Sequence, residues 1–130
     1  MSQDIKLMEC AIAVRGRAYA PYSNFKVGAA LLADTGQIYS GCNVENISFG
    51  LTMCAERVAV GAAVAESAHD WRLLAIVADS KEPVVPCGAC RQVLAEFNPK
   101  LRIISSTLSG QTAEFRLEDL LPSPRQGILG

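Results

Sequence analysis

Apolar side chains recur near helical spacing at Leu7, Met8, Ala11, Ile12, Val14 and Ala18, predicting a first helix over residues 5–18 with Asp4 able to cap its start. Pro21 ends that pattern, and a polar loop of Tyr22, Ser23 and Asn24 follows. Phe25 to Ala33 is an apolar run of the length that suits a largely buried strand. Asp34, Thr35 and Gly36 make a turn, and Gln37 to Asn43 returns as the partner of a hairpin. Asn43 to Met53 has no period and reads as a loop placed for function, with Thr52 as a possible cap for the segment after it. That segment, Cys54 to Ala65, is rich in Ala and Val and predicts a mostly buried helix. Leu73 to Ala78 reads as a central strand, residues 88–97 as a third helix stopped by Asn98 and Pro99, and Leu101 to Ser106 as another strand. Strands alternating with helices after residue 50 predict a single α/β domain, a three-layer α/β/α sandwich whose central mixed sheet carries the opening hairpin at an antiparallel edge. The tail from Pro122 to Gly130 has two prolines and two glycines and is expected to be irregular.

Composition narrows the function classes. With 130 residues, half of them apolar and 19% charged, the chain suits one domain with a real core. Twelve basic residues against 13 acidic ones leave a net charge of -1, without the positive excess that binding a phosphate backbone requires, so long nucleic acid is not an expected partner. The apolar stretches fall far short of the ~20 residues that span a bilayer, and Asp4, Lys6 and Glu9 break any secretory pattern at the N-terminus. The expected location is the cytoplasm, with no membrane partner. Five cysteines in such a compartment call for metal binding or plain burial rather than disulfides.

Cys87 and Cys90 stand three apart at a predicted helix start, so both sulfurs can project toward one point. Alone, that pair reads equally as a redox dithiol or as packed thiols. Cys54 opens another predicted helix, in the order Cys54, Ala55, Glu56. Residues two apart on a helix are separated by about 200°, so a metal reached by Cys54 lies off the helix end while Glu56 borders its open side. Three protein ligands leave one position for water, the pattern of a catalytic zinc site; a non-catalytic zinc module would need Cys42 or Cys10 as a fourth ligand. Three thiolates on Zn²⁺ carry a formal charge of -1, which Arg57 and two helix N-termini can offset. Glu56 can then move a proton from water to a leaving amine. His69, the sole histidine, has the polar surroundings of a solvated loop residue.

The segments APYSNFKVGAAL from Ala20, NVENISFGLTMCAER from Asn43 and PCGACRQVLAEF from Pro86 resemble the zinc-dependent cytidine deaminase family, in its small nucleoside-acting branch with three cysteine ligands. The resemblance implies Cys54, Cys87 and Cys90 as ligands of one zinc, and Glu56 as the proton shuttle that deaminates cytidine and 2′-deoxycytidine to the uridines. It further implies stacking of the pyrimidine on Phe25, ribose contacts from Asn43 and Glu45, a base contact from the Ala55 backbone, and a homotetramer. From the residues alone, Phe25 reads as a core aromatic and Asn43 and Glu45 as turn caps. Two departures point to a modified aminopyrimidine nucleoside or nucleoside antibiotic as the alternative substrate. Phe49 stands where the family commonly has Tyr, and no aromatic follows Phe115, so a lid over a neighbouring site would be absent or rebuilt from Arg125 and Ile128.

Overall fold

The computed structural model describes residues 2–124. Along them run α1 (Ser2–Arg15), β1 (Val27–Ala33), β2 (Ile38–Cys42), α2 (Ala55–Ala65), β3 (Trp71–Ala78), α3 (Gly88–Phe97), β4 (Arg102–Thr107), β5 (Thr112–Arg116) and α4 (Leu117–Leu120), with a 3-10 turn at Phe49–Leu51. The strands form one mixed sheet in the order β2-β1-β3-β4-β5, in which β3 and β4 run parallel and the other neighbours antiparallel.

The central strands are apolar without interruption because both faces of the sheet are covered. On β1, Ala29, Leu31 and Ala33 point to a core shared with Ala59 and Ala63 of α2 and Leu94 of α3, while Ala30 and Leu32 point to a second core with Leu7 and Ala11 of α1. β3 divides in the same way, Leu74 and Ile76 to the first core and Leu73, Ala75 and Val77 to the second. This is the expected α/β/α sandwich, with α1 on one face and α2, α3 and α4 on the other. The connection from β3 through α3 to parallel β4 leaves the start of α3 outside the carboxyl end of β3, where open α/β sheets place ligands.

Several boundaries differ from the sequence reading, three of them for reasons visible in the contacts. α1 ends at Arg15, six residues before Pro21, because Tyr19 leaves the helix to bridge the loop: its N–H bonds the Asn43 carbonyl at 3.0 Å and its carbonyl accepts the Glu45 N–H at 2.8 Å. Asp4 lies inside the first turn of α1, where it pairs with Arg102 at 2.9 Å instead of capping. Phe25 stays outside β1, because Asn24 takes a left-handed φ of 59° and the Phe25 N–H turns to the Ser23 hydroxyl.

Thr52 does not cap α2. Cys54 holds the N-cap position, and the Thr52 hydroxyl accepts the Asn46 N–H at 3.2 Å. β5 and α4 were not foreseen. β5 is an edge strand on which half-buried Ala113 and Phe115 alternate with exposed Thr112, Glu114 and Arg116, a two-residue period hidden by its charges. Residues 122–124 carry no helix or strand, and Arg125 and Ile128 lie outside the described residues. No helix among the described residues is long and apolar enough to cross a membrane.

Candidate active site

Two helix starts meet in the wall of a cavity of about 400 Å³ lined by residues that include Phe25, Asn43, Glu45, Cys54, Ala55, Glu56 and Cys87. Cys54 is the N-cap of α2 and Cys87 the N-cap of α3, neither making a side-chain capping bond, and Cys90 sits in the first turn of α3. The three Sγ atoms lie within 4.8 Å of one another. Tetrahedral zinc with bonds of about 2.3 Å needs sulfurs about 3.8 Å apart, so small side-chain adjustments suffice. Among the described residues no His, Asp or Glu joins the three, and Cys10, Cys42 and His69 lie outside the cluster. The trio can therefore offer three ligands, with no fourth side chain among the described residues to close the site.

The electrostatics fit a cation bound by thiolates. Hydrogen bonding from Cys90, together with Arg57, drops the Cys54 thiol from its ordinary value to about 5, against the opposing effect of burial. Cys90, donating to Cys54 and buried, is pushed above the ordinary thiol range. Arg57 Nη2 lies 3.5 Å from Cys54 Sγ and 3.4 Å from the Thr52 carbonyl, while its buried Nε has no hydrogen-bond partner. A guanidinium held half-satisfied against sulfur is poorly explained by packing alone, because an unpaired buried donor costs roughly 1–3 kcal/mol. It is well explained if thiolates on a metal need a counter-charge. The first turns of α2 and α3 add partial positive charge on the same side.

Glu56 follows Cys54 by two positions and lies beside the sulfur cluster, where its carboxyl meets the Cys90 thiol without joining the trio. It is 6% exposed and lines the cavity. Burial pushes its carboxyl above the usual range, and the Cys54 thiolate adds to the rise. A carboxyl moved toward neutrality both accepts and returns a proton readily. Ala55, the first residue of α2, has a backbone N–H with no partner inside the helix, and it faces the cavity.

The opposite wall is built from the loop that enters β1. Phe25 is 39% exposed and lies on the cavity rather than in either core. Buried Asn43 accepts the Val27 N–H at 2.9 Å through Oδ1 and donates from Nδ2 to the Phe25 carbonyl at 2.8 Å, so it braces the turn while retaining one donor and one acceptor position. Glu45 accepts the Tyr22 and Ser23 N–H groups and the Ser23 hydroxyl, and the serine hydroxyl foremost holds its carboxyl below the usual range. Phe49 also lines the cavity and is 63% exposed. The sequence reading did not single out Ser23, Val84 or Val85, which complete the wall. For Ser23 a signal existed, a serine two residues before the turn's aromatic, the spacing of a hydroxyl-to-backbone turn.

The family model described as the cytidine and deoxycytidylate deaminase zinc-binding region matches residues 1–106. The chain is 48% identical over 118 residues to a cytidine deaminase of Sporosarcina psychrophila, covering 90% of this chain and 87% of that one. It is 49% identical over 117 residues to one from Halalkalibacterium halodurans, covering 89% of each. The crystal structure of a cytidine deaminase from Burkholderia pseudomallei superposes with a TM-score of 0.90 at 44% identity, covering 93% of this chain and 98% of that one.

Proposed function

Because this chain belongs to the cytidine and deoxycytidylate deaminase family, we infer that it is a zinc-dependent hydrolase converting cytidine and 2′-deoxycytidine to the uridines with release of ammonia. The observation that carries the reading is the trio of thiols within 4.8 Å of one another beside the cavity that Glu56 lines.

Cys54, Cys87 and Cys90 would hold the metal, and the Arg57 guanidinium offsets their charge. When bound, zinc supplies a Lewis acid that makes water a nucleophile near neutral pH. Glu56 takes the proton of the attacking water and hands it to the pyrimidine N3 as oxygen bonds to C4. It then carries the second proton to the exocyclic amine, the C4–N bond breaks, and ammonia leaves. Phe25 offers its face to the pyrimidine, and the Ala55 backbone lies where it can fix the base edge. The free positions of Asn43 and Glu45 take the sugar hydroxyls.

Exposed Ile47, Phe49, Leu51 and Met53 form an apolar rim on the loop beside the cavity, which supports assembly with further copies of the chain and so the homotetramer that the family resemblance implies. The reduced thiols fit the cytoplasm, where the reaction serves pyrimidine salvage. Zinc content and cytidine turnover measured on one preparation test the reading. One zinc per chain with ammonia released in step with uridine is expected. A zinc-loaded protein that leaves both nucleosides and a panel of modified aminopyrimidine nucleosides untouched would overturn it.

A further inference from the structure

One turn grips the Glu45 carboxylate from three directions. Oε1 accepts the Tyr22 N–H at 3.0 Å and the Ser23 N–H at 3.2 Å, and the Ser23 hydroxyl donates to Oε2. The same Ser23 Oγ accepts the Phe25 N–H at 3.0 Å. A serine hydroxyl has one proton, so its rotor is committed: the proton lies on Glu45 and a lone pair on Phe25. A carboxylate offers about four acceptor positions, so with three filled one remains, on Oε2. Ser23, Phe25 and Glu45 all line the cavity.

We propose that Ser23 is a positioning residue of the nucleoside site, whose hydroxyl aims the one free acceptor of Glu45 at a sugar hydroxyl and ties it to the backbone of the stacking residue Phe25. This rests on Glu45 being the sugar acceptor. The two amides fix only Oε1; without the hydroxyl, Oε2 gains a second open position and can satisfy itself with water instead of substrate. The Phe25 N–H loses its acceptor at the same time, so the ring and the carboxylate cease to be one rigid unit. Asn24 sits between them at a left-handed φ of 59°, its own N–H donated to the Ala20 carbonyl at 3.0 Å.

The test compares steady-state kinetics of the zinc-loaded enzyme and its S23A, S23T, E45Q and S23A/E45Q variants on cytidine and on 2′,3′-dideoxycytidine, which lacks both ring hydroxyls. Ser23 is exposed and outside both cores, so S23A should melt with the parent and keep its zinc. Expected for S23A is a loss of about tenfold in kcat/KM on cytidine, carried mainly by KM, with a clearly smaller loss, from the loosened Phe25 alone, on the dideoxynucleoside. S23T, which keeps a hydroxyl, restores the parent value, and the double variant is no worse than E45Q. Equal losses on both substrates, or an unchanged S23A beside an E45Q that loses cytidine selectively, would overturn the role of Ser23 alone. An E45Q that affects both substrates equally would overturn the sugar reading of Glu45 and the proposal with it.

Discussion

Gly41 of β2 lies directly beneath Ala59 of α2: a β-carbon at position 41 would fall 2.3 Å from the Ala59 backbone nitrogen and 2.7 Å from the Ala55 carbonyl oxygen. Both obstacles are backbone, so no side-chain rotation relieves them, and α2 as a whole would have to lift from the sheet. Because Cys54 caps that helix, lifting it also moves a metal ligand. Gly41→Ala is expected to cost about 3 kcal/mol or more and to lower zinc occupancy. Gly61→Ala is the control: it sits on the exposed side of the same helix with nothing within 4 Å of its β-carbon, and should stabilise by about 0.5–1 kcal/mol. Thermal melts with metal analysis on both variants check the contrast.

Glu56 sets function against stability. Its folded-state carboxyl titrates above the unfolded value because the group is buried, so folding favours the protonated form. Its contribution is therefore present below the unfolded pKa and is lost as pH rises through the folded one, which leaves an ionised buried carboxylate near neutrality. Glu56→Gln removes that charge without changing the shape. In metal-free protein at pH 7 it is expected to raise Tm by about 3–5 °C, the shift produced by ~1 kcal/mol in a domain of this size. At pH 4 the gain should vanish. The zinc-loaded variant should lose turnover by several orders of magnitude; substantial residual activity would remove Glu56 from the proton path.

How far the sequence revealed this site depended on the kind of evidence each residue carried. The cysteines were legible because metal chemistry restricts both residue type and spacing, and the helical angle from Cys54 to Glu56 placed the carboxylate beside rather than within the cluster. The central strands were legible because burial on two faces leaves an unbroken apolar run, as in β3. What escaped was set by tertiary pairing. α1 stops early because Tyr19 bridges Val44, a contact across the chain that no local pattern encodes. Asn43 and Glu45 were readable as turn caps, but that the turn they brace is residues 22–27 depends on the same loop-to-loop register, and the charges on β5 masked its alternation.

Arg57 should control metal affinity more than fold. Its Nη2 contacts Cys54 Sγ at 3.5 Å and its charge is set against sulfur, with Cys54 the main cause that raises its already high pKa. Removing such a partner of a metal ligand typically costs 10–100-fold in affinity. Arg57→Ala is expected to weaken zinc binding within that range in competition with a chromophoric chelator. Arg57→Lys should recover part of the loss, because the charge returns without the planar fork. The cavity left by Arg57→Ala complicates a stability readout, so the ratio of the two variants' zinc affinities is the informative quantity.

Metal loading should release fewer protons than there are ligands. Zinc binds thiolate, so three neutral thiols would release three protons on binding. In the metal-free protein, however, Cys54 is lowered to about 5, which makes it a thiolate at pH 7 before any metal arrives, whereas Cys90 is pushed up and remains a thiol. The cause is internal: the neighbouring thiols donate to one sulfur, and Arg57 stabilises the charge it carries. Calorimetric zinc titrations in buffers of differing ionisation enthalpy at pH 7 should therefore give a release of about two protons, clearly below three. Lowering the pH through 5 protonates Cys54, so the count should rise toward three while affinity falls. Arg57→Ala should move that rise to higher pH, since the thiolate loses its counter-charge; a release of three protons at pH 7 in the parent protein would mean that no ligand is preionised and that the charge arrangement around Cys54 has been misread.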